Sequence, residues 1–311
     1  MAIVGDHNQA QLENLAFISG IETKGVEKAA SALTDFIRIK IREASFARKI
    51  LPPKPITSTD LVQSQDTDQP MRLVEMDKVS EAYPITFLEP AQEHYYQGKR
   101  FPVYYTKMAS EEFYKPTQEI MTYRVPIKTI VQENYLKDLQ KAEDKMFINT
   151  VDKIIDDRLA GNIPSGVADP TAEYSVAGPF TPDILAEAIK HIVLKEIPMG
   201  PVLINETDFL DLLKLKQNSV GSAILENIVV NGYTYTKILG QTFIRTIKHD
   251  VVLPGTVYLF TTPEFLGVFD VLEDVKAFVK QEGSHLRFYL WETIGMAIGN
   301  INGVMRIKLT K

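Results

Sequence analysis

The stretch from Ile127 to Leu159, IKTIVQENYLKDLQKAEDKMFINTVDKIIDDRL, decides how the rest of the chain is arranged. Ile127, Val131, Tyr135, Leu139, Ala142, Met146, Val151, Ile154 and Leu159 recur at helical spacing. Pro126 stands where a first-turn proline is tolerated, since its missing N–H has no intrahelical partner there. Glu133 and Lys137 make a favourable i,i+4 pair on the wet face. A helix of about 33 residues, rising about 1.5 Å each, is roughly 50 Å long. That exceeds the diameter of a small domain. The spacing therefore predicts a spine laid across an elongated or flat body.

Upstream of the spine, residues 1–25 are polar with scattered apolar positions and predict an irregular arm, held by neighbouring subunits. Val26, Ala30, Leu33, Ile37, Ile41 and Ala44 then share one helical face. Within that run FIRIKIR (36–42) also alternates with period two, as a strand does; the flanking alanines and glutamates favour helix. Pro52, Pro53 and Pro55 end the element. Residues 56–70 read as loop. MRLVEM and YPITFL, separated by DKVSEA, predict a long hairpin over 71–88 whose two faces carry few large apolar residues. A hairpin without a core of its own projects and packs on something else. Phe101–Lys107 and Glu112–Tyr114 predict another strand pair.

Downstream, 161–179 is loop with turn chemistry throughout. Thr181 is the expected cap of a helix opened by Pro182 and running to about Glu196, with Leu185, Ile189 and Ile192 inward. PVLIN reads as a buried strand and Thr207–Lys216 as a short helix. Strands are expected at about 228–236, 242–247 and 256–260, with turns at Asn231-Gly232 and Pro254-Gly255. VKAFVKQ, HLRFYLWET, MAIGN and GVMRIKL make the end of the chain β-rich. No internal repeat is evident.

The bulk composition narrows the classes. At 311 residues and 45% hydrophobic content, the chain supports a core of one large or two interlocked domains. A net charge of -6 makes it no general polyanion binder, so a nucleic-acid role needs a local basic patch. The absence of cysteine excludes disulfides, thiolate metal sites and a cysteine nucleophile, and suits assembly in a reducing cytoplasm. No run approaches the roughly 18 apolar residues of a membrane span. A secretory leader is not expected at MAIVGDHNQAQLENLAF.

Catalytic and metal chemistry finds little support. His7, His94, His191, His249 and His285 lack a second ligand at helical metal spacing, and read as surface or singly bonded histidines. No GxSxG elbow occurs; SVGSA at 219–223 has its glycine misplaced. Gly295, Gly299 and Gly303 fit neither a phosphate loop nor a dinucleotide fingerprint, and predict turns or close backbone contacts. Asp66 with Asp68, and Asp156 with Asp157, read as solvated carboxylates. No cofactor and no metal are expected.

One charge asymmetry remains. Between 38 and 54, Arg38, Lys40, Arg42, Arg48, Lys49 and Lys54 face the single acid Glu43. Between 61 and 90, Asp66, Asp68, Glu75, Asp77, Glu81 and Glu89 outnumber Arg72 and Lys78. Two readings stay open. One is complementary surfaces between neighbouring copies or a basic face toward DNA, with Arg38, Arg42, Arg48, Lys49, Lys54, Asp66, Asp68, Glu75, Asp77 and Lys78 as candidates. The other is an ordinary amphipathic helix with a solvated basic side.

Taken in order, arm and helix, projecting hairpin, spine helix, α/β lobe and closing strands resemble the Hong Kong 97-type major capsid protein of tailed phages, an α+β fold. SFARKILPP (45–53), RFPVYYTKMASEEF (100–113) with the following TYRVPIKTIVQENYLKDLQKAEDKMF, and LGVFDVLEDVKAFVKQEGSHLRFYLWETIGMAIGNINGVMRIKL (266–309) carry the likeness. The resemblance implies a division into an N-terminal arm and helix (1–55), an extended loop (56–100), a peripheral domain with the spine (101–164), an axial domain (165–268) and peripheral strands (269–311). It implies a non-enzymatic subunit, assembled in the bacterial host cytoplasm as hexamers and pentamers of an icosahedral virion capsid. The implied partners are other copies of the chain, a portal, scaffold or cement proteins, and double-stranded DNA on the inner face, with no membrane. Some members crosslink a loop lysine to a neighbour's asparagine. No motif places Lys78 with Asn300 or Asn302 in those roles, and no crosslink is expected; nor is proteolytic loss of an N-terminal scaffold segment. An encapsulin-type nanocompartment shell is the alternative, and a stand-alone α/β enzyme using the 165–268 lobe is a third.

Overall fold

The computed structural model describes residues 7–24, 45–63, 68–76, 84, 99–122, 127–163, 166–213, 237–238 and 240–310. The helix expected over 26–44 lies outside them, with Arg38 and Arg42. So do Asp66, Asp77, Lys78 and the whole of the strand expected at 228–236. The N-terminal stretch is not an irregular arm: His7–Lys24 forms a helix, α1. Its Ile18 is buried and joins Tyr135, Leu136 and Leu139 of the spine. A short helix α2 (Phe46–Ile50) follows, capped by Ser45, whose hydroxyl accepts from the Arg48 amide.

Seven strands make one sheet. Strands β1 (Lys54–Pro55), β2 (Val62–Gln63), β3 (Pro70–Met76), β4 (Lys99–Ala109) and β5 (Phe113–Pro116) come from the first half of the chain. The long strands β11 (Gly267–Glu282) and β12 (His285–Ile298) come from the end, giving the order β1-β11-β12-β4-β3-β2 with β5 also on β12. MRLVEM pairs with 99–104, Met71 opposite Tyr104 through Met76 opposite Lys99; YPITFL, its expected partner, lies outside the described residues apart from Pro84. One expectation changes here. Strands β4 and β5 do not pair with each other; each lies against a different part of β12. HLRFYLWET and MAIGN prove to belong to one strand, because bulges in its partner β11 absorb the change of alternation.

The spine is α4 (Ile127–Ala160), 34 residues, preceded by α3 (Thr117–Thr122). Its first half packs on Val275, Val279, Leu286, Phe288 and Leu290 of the β11–β12 hairpin. Its second half, Phe147 to Ile155, sits where both sheets meet. The buried stripe is turned from the one the apolar residues suggest. Glu143, Asp144 and Arg158 are buried with Phe147 and Ile155, while Ala142, Met146, Ile154 and Leu159 are only half-buried.

The second sheet has the order β6-β13-β10-β7-β9-β8. It is built from β6 (Glu173–Ala177), β7 (Met199–Asn205), β8 (Lys237–Ile238), β9 (Gln241–Thr246), β10 (Thr256–Thr261) and β13 (Val304–Thr310). Helix α5 (Pro182–Val193), capped by Thr181 as expected, and α6 (Glu206–Leu213) cover an apolar core around Phe180, Leu185, Val202, Phe209, Leu259 and Ile307. The one-turn α7 (Pro263–Leu266) leads from β10 into β11. Strand β13 lies here and not beside β12, so the strands after 269 are shared between the two sheets.

Two of the spaced glycines have a visible reason. A Cβ on Gly295 would stand 2.8 Å from the Tyr105 ring, and one on Gly299 would stand 2.9 Å from that of Phe101. Their bare backbone lets the aromatic rings of β4 lie flat across β12.

Candidate functional site

The chain path places acids and bases from distant segments into buried clusters. The largest sits where α2 meets the spine. Arg48 Nε donates to Glu143 Oε1 and Oε2 at 2.9 and 3.1 Å, and its Nη2 bonds Glu143 and reaches Glu292 Oε2 at 3.1 Å. The guanidinium carbon also lies 5.7 Å from the Phe269 ring centroid. Beside it Asp144 accepts from the Ser45 hydroxyl at 2.9 Å and the Ala47 amide at 3.0 Å, and pairs with Lys248. Burial pushes Glu292 well above the ordinary glutamate value, with the neighbouring Glu143 charge adding to it. Glu143 is raised by the same burial, against the pull of Arg48. Arg48 is raised as well: burial disfavours its charge, but the Glu143 hydrogen bond and the carboxylate charges outweigh this.

A second cluster joins the spine to the six-stranded sheet. Arg306 bonds Asp152 at 2.8 Å, Asp156 at 2.8 Å and Glu173 at 2.6 Å, and Tyr258 donates to Asp152 at 2.9 Å. A third ties Arg158, almost wholly buried, to the carbonyls of Ile301 and Val304 and to Asp169. In the seven-stranded sheet Tyr105 crosses Gly295 and donates to Asp270 at 2.9 Å, while Arg72 reaches the same carboxylate at 3.2 Å. All of these fasten one element to another. Among the described residues no group of three or more histidines or acids is arranged to hold a metal ion, and no described helix is long and apolar enough to cross a membrane.

The candidate residues read from the charge pattern divide. Arg48 is not on a surface: Phe46, Ala47, Arg48 and Ile50 of α2 all point inward, so its charge is spent on Glu143 and Glu292 and not on a partner or DNA. Lys49, on the outer side of that turn, is exposed and borders an open groove of about 1100 Å³ beside β9, with Arg245 and Ile247. Lys54 is exposed on β1. Asp68 is exposed and accepts from Gln63 at 3.3 Å. Glu75 is exposed and pairs across the β3–β4 ribbon with Arg100 at 2.6 Å. The structure thus brings no two of the described candidates together. Sequence reading missed Glu143, Glu292, Asp144 and Arg306. A signal was available for Glu143 alone: Leu139, Glu143, Phe147 and Val151 follow at intervals of four along one helical stripe.

The spine helix thus lies under one sheet along its first half and meets the second sheet along its far half. The sequence matches no protein-family model and no curated protein, whereas the structure matches solved shells over most of its length. Against the capsid of the cyanophage P-SCSP1u the TM-score is 0.59, over 83% of this chain and 86% of that one, at 12% identity. Against the mature capsid of bacteriophage PhiM1 it is 0.57, over 86% and 87%, at 11% identity. Against a virus-like particle from Pyrococcus furiosus it is 0.51, over 89% and 98%, at 18% identity.

Proposed function

We propose that this chain is the structural shell subunit of a tailed phage, of the Hong Kong 97 type. Its copies assemble as hexamers and pentamers into an icosahedral capsid that encloses double-stranded DNA. The observation that carries the reading is the match to phage capsids across more than four-fifths of both chains. The β2–β3–β4 ribbon supports it. Val62, Leu73 and Tyr104 stand exposed there, and apolar groups on a ribbon without its own core gain burial only from a neighbour. In this reading the ribbon is the extended loop, the seven-stranded sheet with the spine is the peripheral region, and the six-stranded sheet is the axial region. Lys49 and Lys54 remain candidates for an inter-subunit or DNA-facing role, and Asp68 and Glu75 for contacts between copies. Portal, scaffold or cement proteins complete the partners, with assembly in the host cytoplasm, and no catalytic role is proposed.

A shell closed around something other than a genome is the second reading, favoured by the likeness to the archaeal virus-like particle. Negative-stain microscopy of the purified protein, with sedimentation and the ultraviolet absorbance ratio, separates the outcomes. Closed polyhedra or capsomers are expected, and nucleic-acid absorbance in closed particles favours the capsid. A particle that stays small at every concentration and salt overturns both readings.

A further inference from the structure

The junction at Arg48 holds more buried negative charge than one guanidinium matches. Glu143 Oε1 and Glu292 Oε2 both accept from the same Arg48 nitrogen, Nη2, which brings the two carboxyl groups side by side. Both side chains are fully buried, and Glu292 Oε1 has no partner. A buried carboxylate oxygen left without a donor has lost its water and gained nothing in return. A proton placed between the two acids removes that cost, because one carboxyl then donates to the other. The surrounding groups do not supply the missing positive charge. From α2 comes Arg48; from the spine, Asp144 beside Glu143; from the segment after β9, Lys248, already on Asp144; from β11, the further acid Asp274. A cleft of about 230 Å³ bordered by Arg48, Pro53, Pro55 and Asp274 gives this junction a way to exchange protons with solvent.

We propose that Glu143 and Glu292 share one proton beneath Arg48, and that loss of this proton unlatches the segment 45–51 from the spine and from β12. The shell-subunit reading is not needed for this, since the latch lies wholly within one chain. With the proton in place the pair carries one negative charge, which Arg48 neutralises. Without it, two buried carboxylates face one guanidinium, and lifting α2 lets water reach them. The sign follows from linkage. A carboxyl raised in the closed state holds its proton there and gives it up in the open one. Its contribution is therefore complete below the ordinary glutamate value and is lost as the pH rises through the raised value.

The test is amide hydrogen exchange of the full-length protein against pH, corrected for the intrinsic rate. It follows the amides of Ala47 and Leu51, which bond Asp144 and the Ala47 carbonyl in the latched state. One linked proton makes their protection fall about tenfold per pH unit over that window. Glu292→Gln supplies a neutral group that accepts from Arg48 and donates to Glu143, so it is expected to remove one proton's worth of slope. Glu143→Gln is the second variant: with Glu143 neutral, Glu292 alone pairs with Arg48, and the slope falls by the same amount. A wild-type profile without slope overturns the latch, whether or not either variant folds. So does a variant that folds and keeps the full wild-type slope.

Discussion

The six-stranded lobe and the β2–β3–β4 ribbon are made of the same chain and obey opposite rules. In the lobe, Phe180, Leu185, Val202, Phe209, Val257, Leu259 and Ile307 are fully buried between the sheet and its two helices. The ribbon has backbone pairing along its whole length, yet Val62, Leu73 and Tyr104 are 48%, 41% and 44% exposed. Its cross-strand ion pair, Glu75 with Arg100, is open to water and worth well under about 1 kcal/mol. Backbone hydrogen bonds alone do not stabilise an isolated hairpin in water. The lobe therefore buries its apolar face within one chain, whereas the ribbon leaves Val62, Leu73 and Tyr104 open.

The sharpest way to break this contrast is Phe209→Ala. The ring is buried, tilted against Phe243 and capped by Arg245 at 5.0 Å. Its removal is expected to cost about 3–5 kcal/mol, the range for a phenylalanine deleted from a closed core. Denaturant unfolding of the subunit reads this directly. A loss under about 1 kcal/mol would mean that the lobe is loosely packed, and the contrast with the ribbon would fail.

Arg158→Ala comes next, at about 3 kcal/mol. It strips donors from two buried carbonyls and a partner from Asp169, which Lys195 still holds at 2.8 Å. A pH dependence marks this loss. Burial works against the Asp169 charge, but hydrogen bonds from Lys195, Thr171 and Arg158 hold its carboxyl well below the ordinary aspartate value. Stability from a depressed carboxyl is present above the ordinary value and is lost as the pH falls through the depressed one. The gap between variant and wild-type melting temperatures is thus expected to narrow on acidification below pH about 4. A gap constant across that range would show that Asp169 gains nothing from Arg158.

Gly295→Ala tests how the ribbon is rooted. The added carbon would meet the Tyr105 ring at 2.8 Å and the Tyr104 carbonyl at 3.0 Å, so the β4 backbone or the ring must shift. About 1–3 kcal/mol is expected, typical of overpacking. Because Tyr105 moves, its hydrogen bond to Asp270 weakens with it. Tyr105→Phe alone should cost less than the glycine change. Equal costs would assign the whole effect to the hydroxyl and none to the close approach.

What could be read from the sequence follows the same division. The spine, the Thr181 cap and the lobe strands at 201–205, 242–247 and 256–260 were legible because each depends on local periodicity or on one capping residue. The pairing of MRLVEM with 99–104 was not: 22 positions, 77–98, lie between the two runs, and local pattern does not weigh so distant a partner. The buried face of the spine was misjudged for a different reason. Glu143, Asp144 and Arg158 count as polar in any periodicity, and partners outside the helix, among them Arg48, Lys248 and Asp169, make their burial tolerable. The same pairing takes Arg48 off the surface, where Lys49 and Lys54 stay exposed.

The smallest expected effect on folding is the most telling for function. Leu73→Ser removes an exposed apolar side chain from the ribbon, where nothing in the single chain buries it fully. Subunit stability should change by less than about 0.5 kcal/mol, as for surface positions generally. If a neighbouring copy covers the ribbon in a shell, the same substitution places a hydroxyl in that contact and repeats it at every copy. Even a small cost per contact is then multiplied across the particle, so the protein concentration needed for shells, read by sedimentation, should rise although the melting temperature does not. A variant that assembles like the wild type would remove Leu73 from the interface and leave the ribbon's exposure without a role. A variant that melts several degrees lower would show that the ribbon carries core of its own, and the two regions would no longer differ in kind.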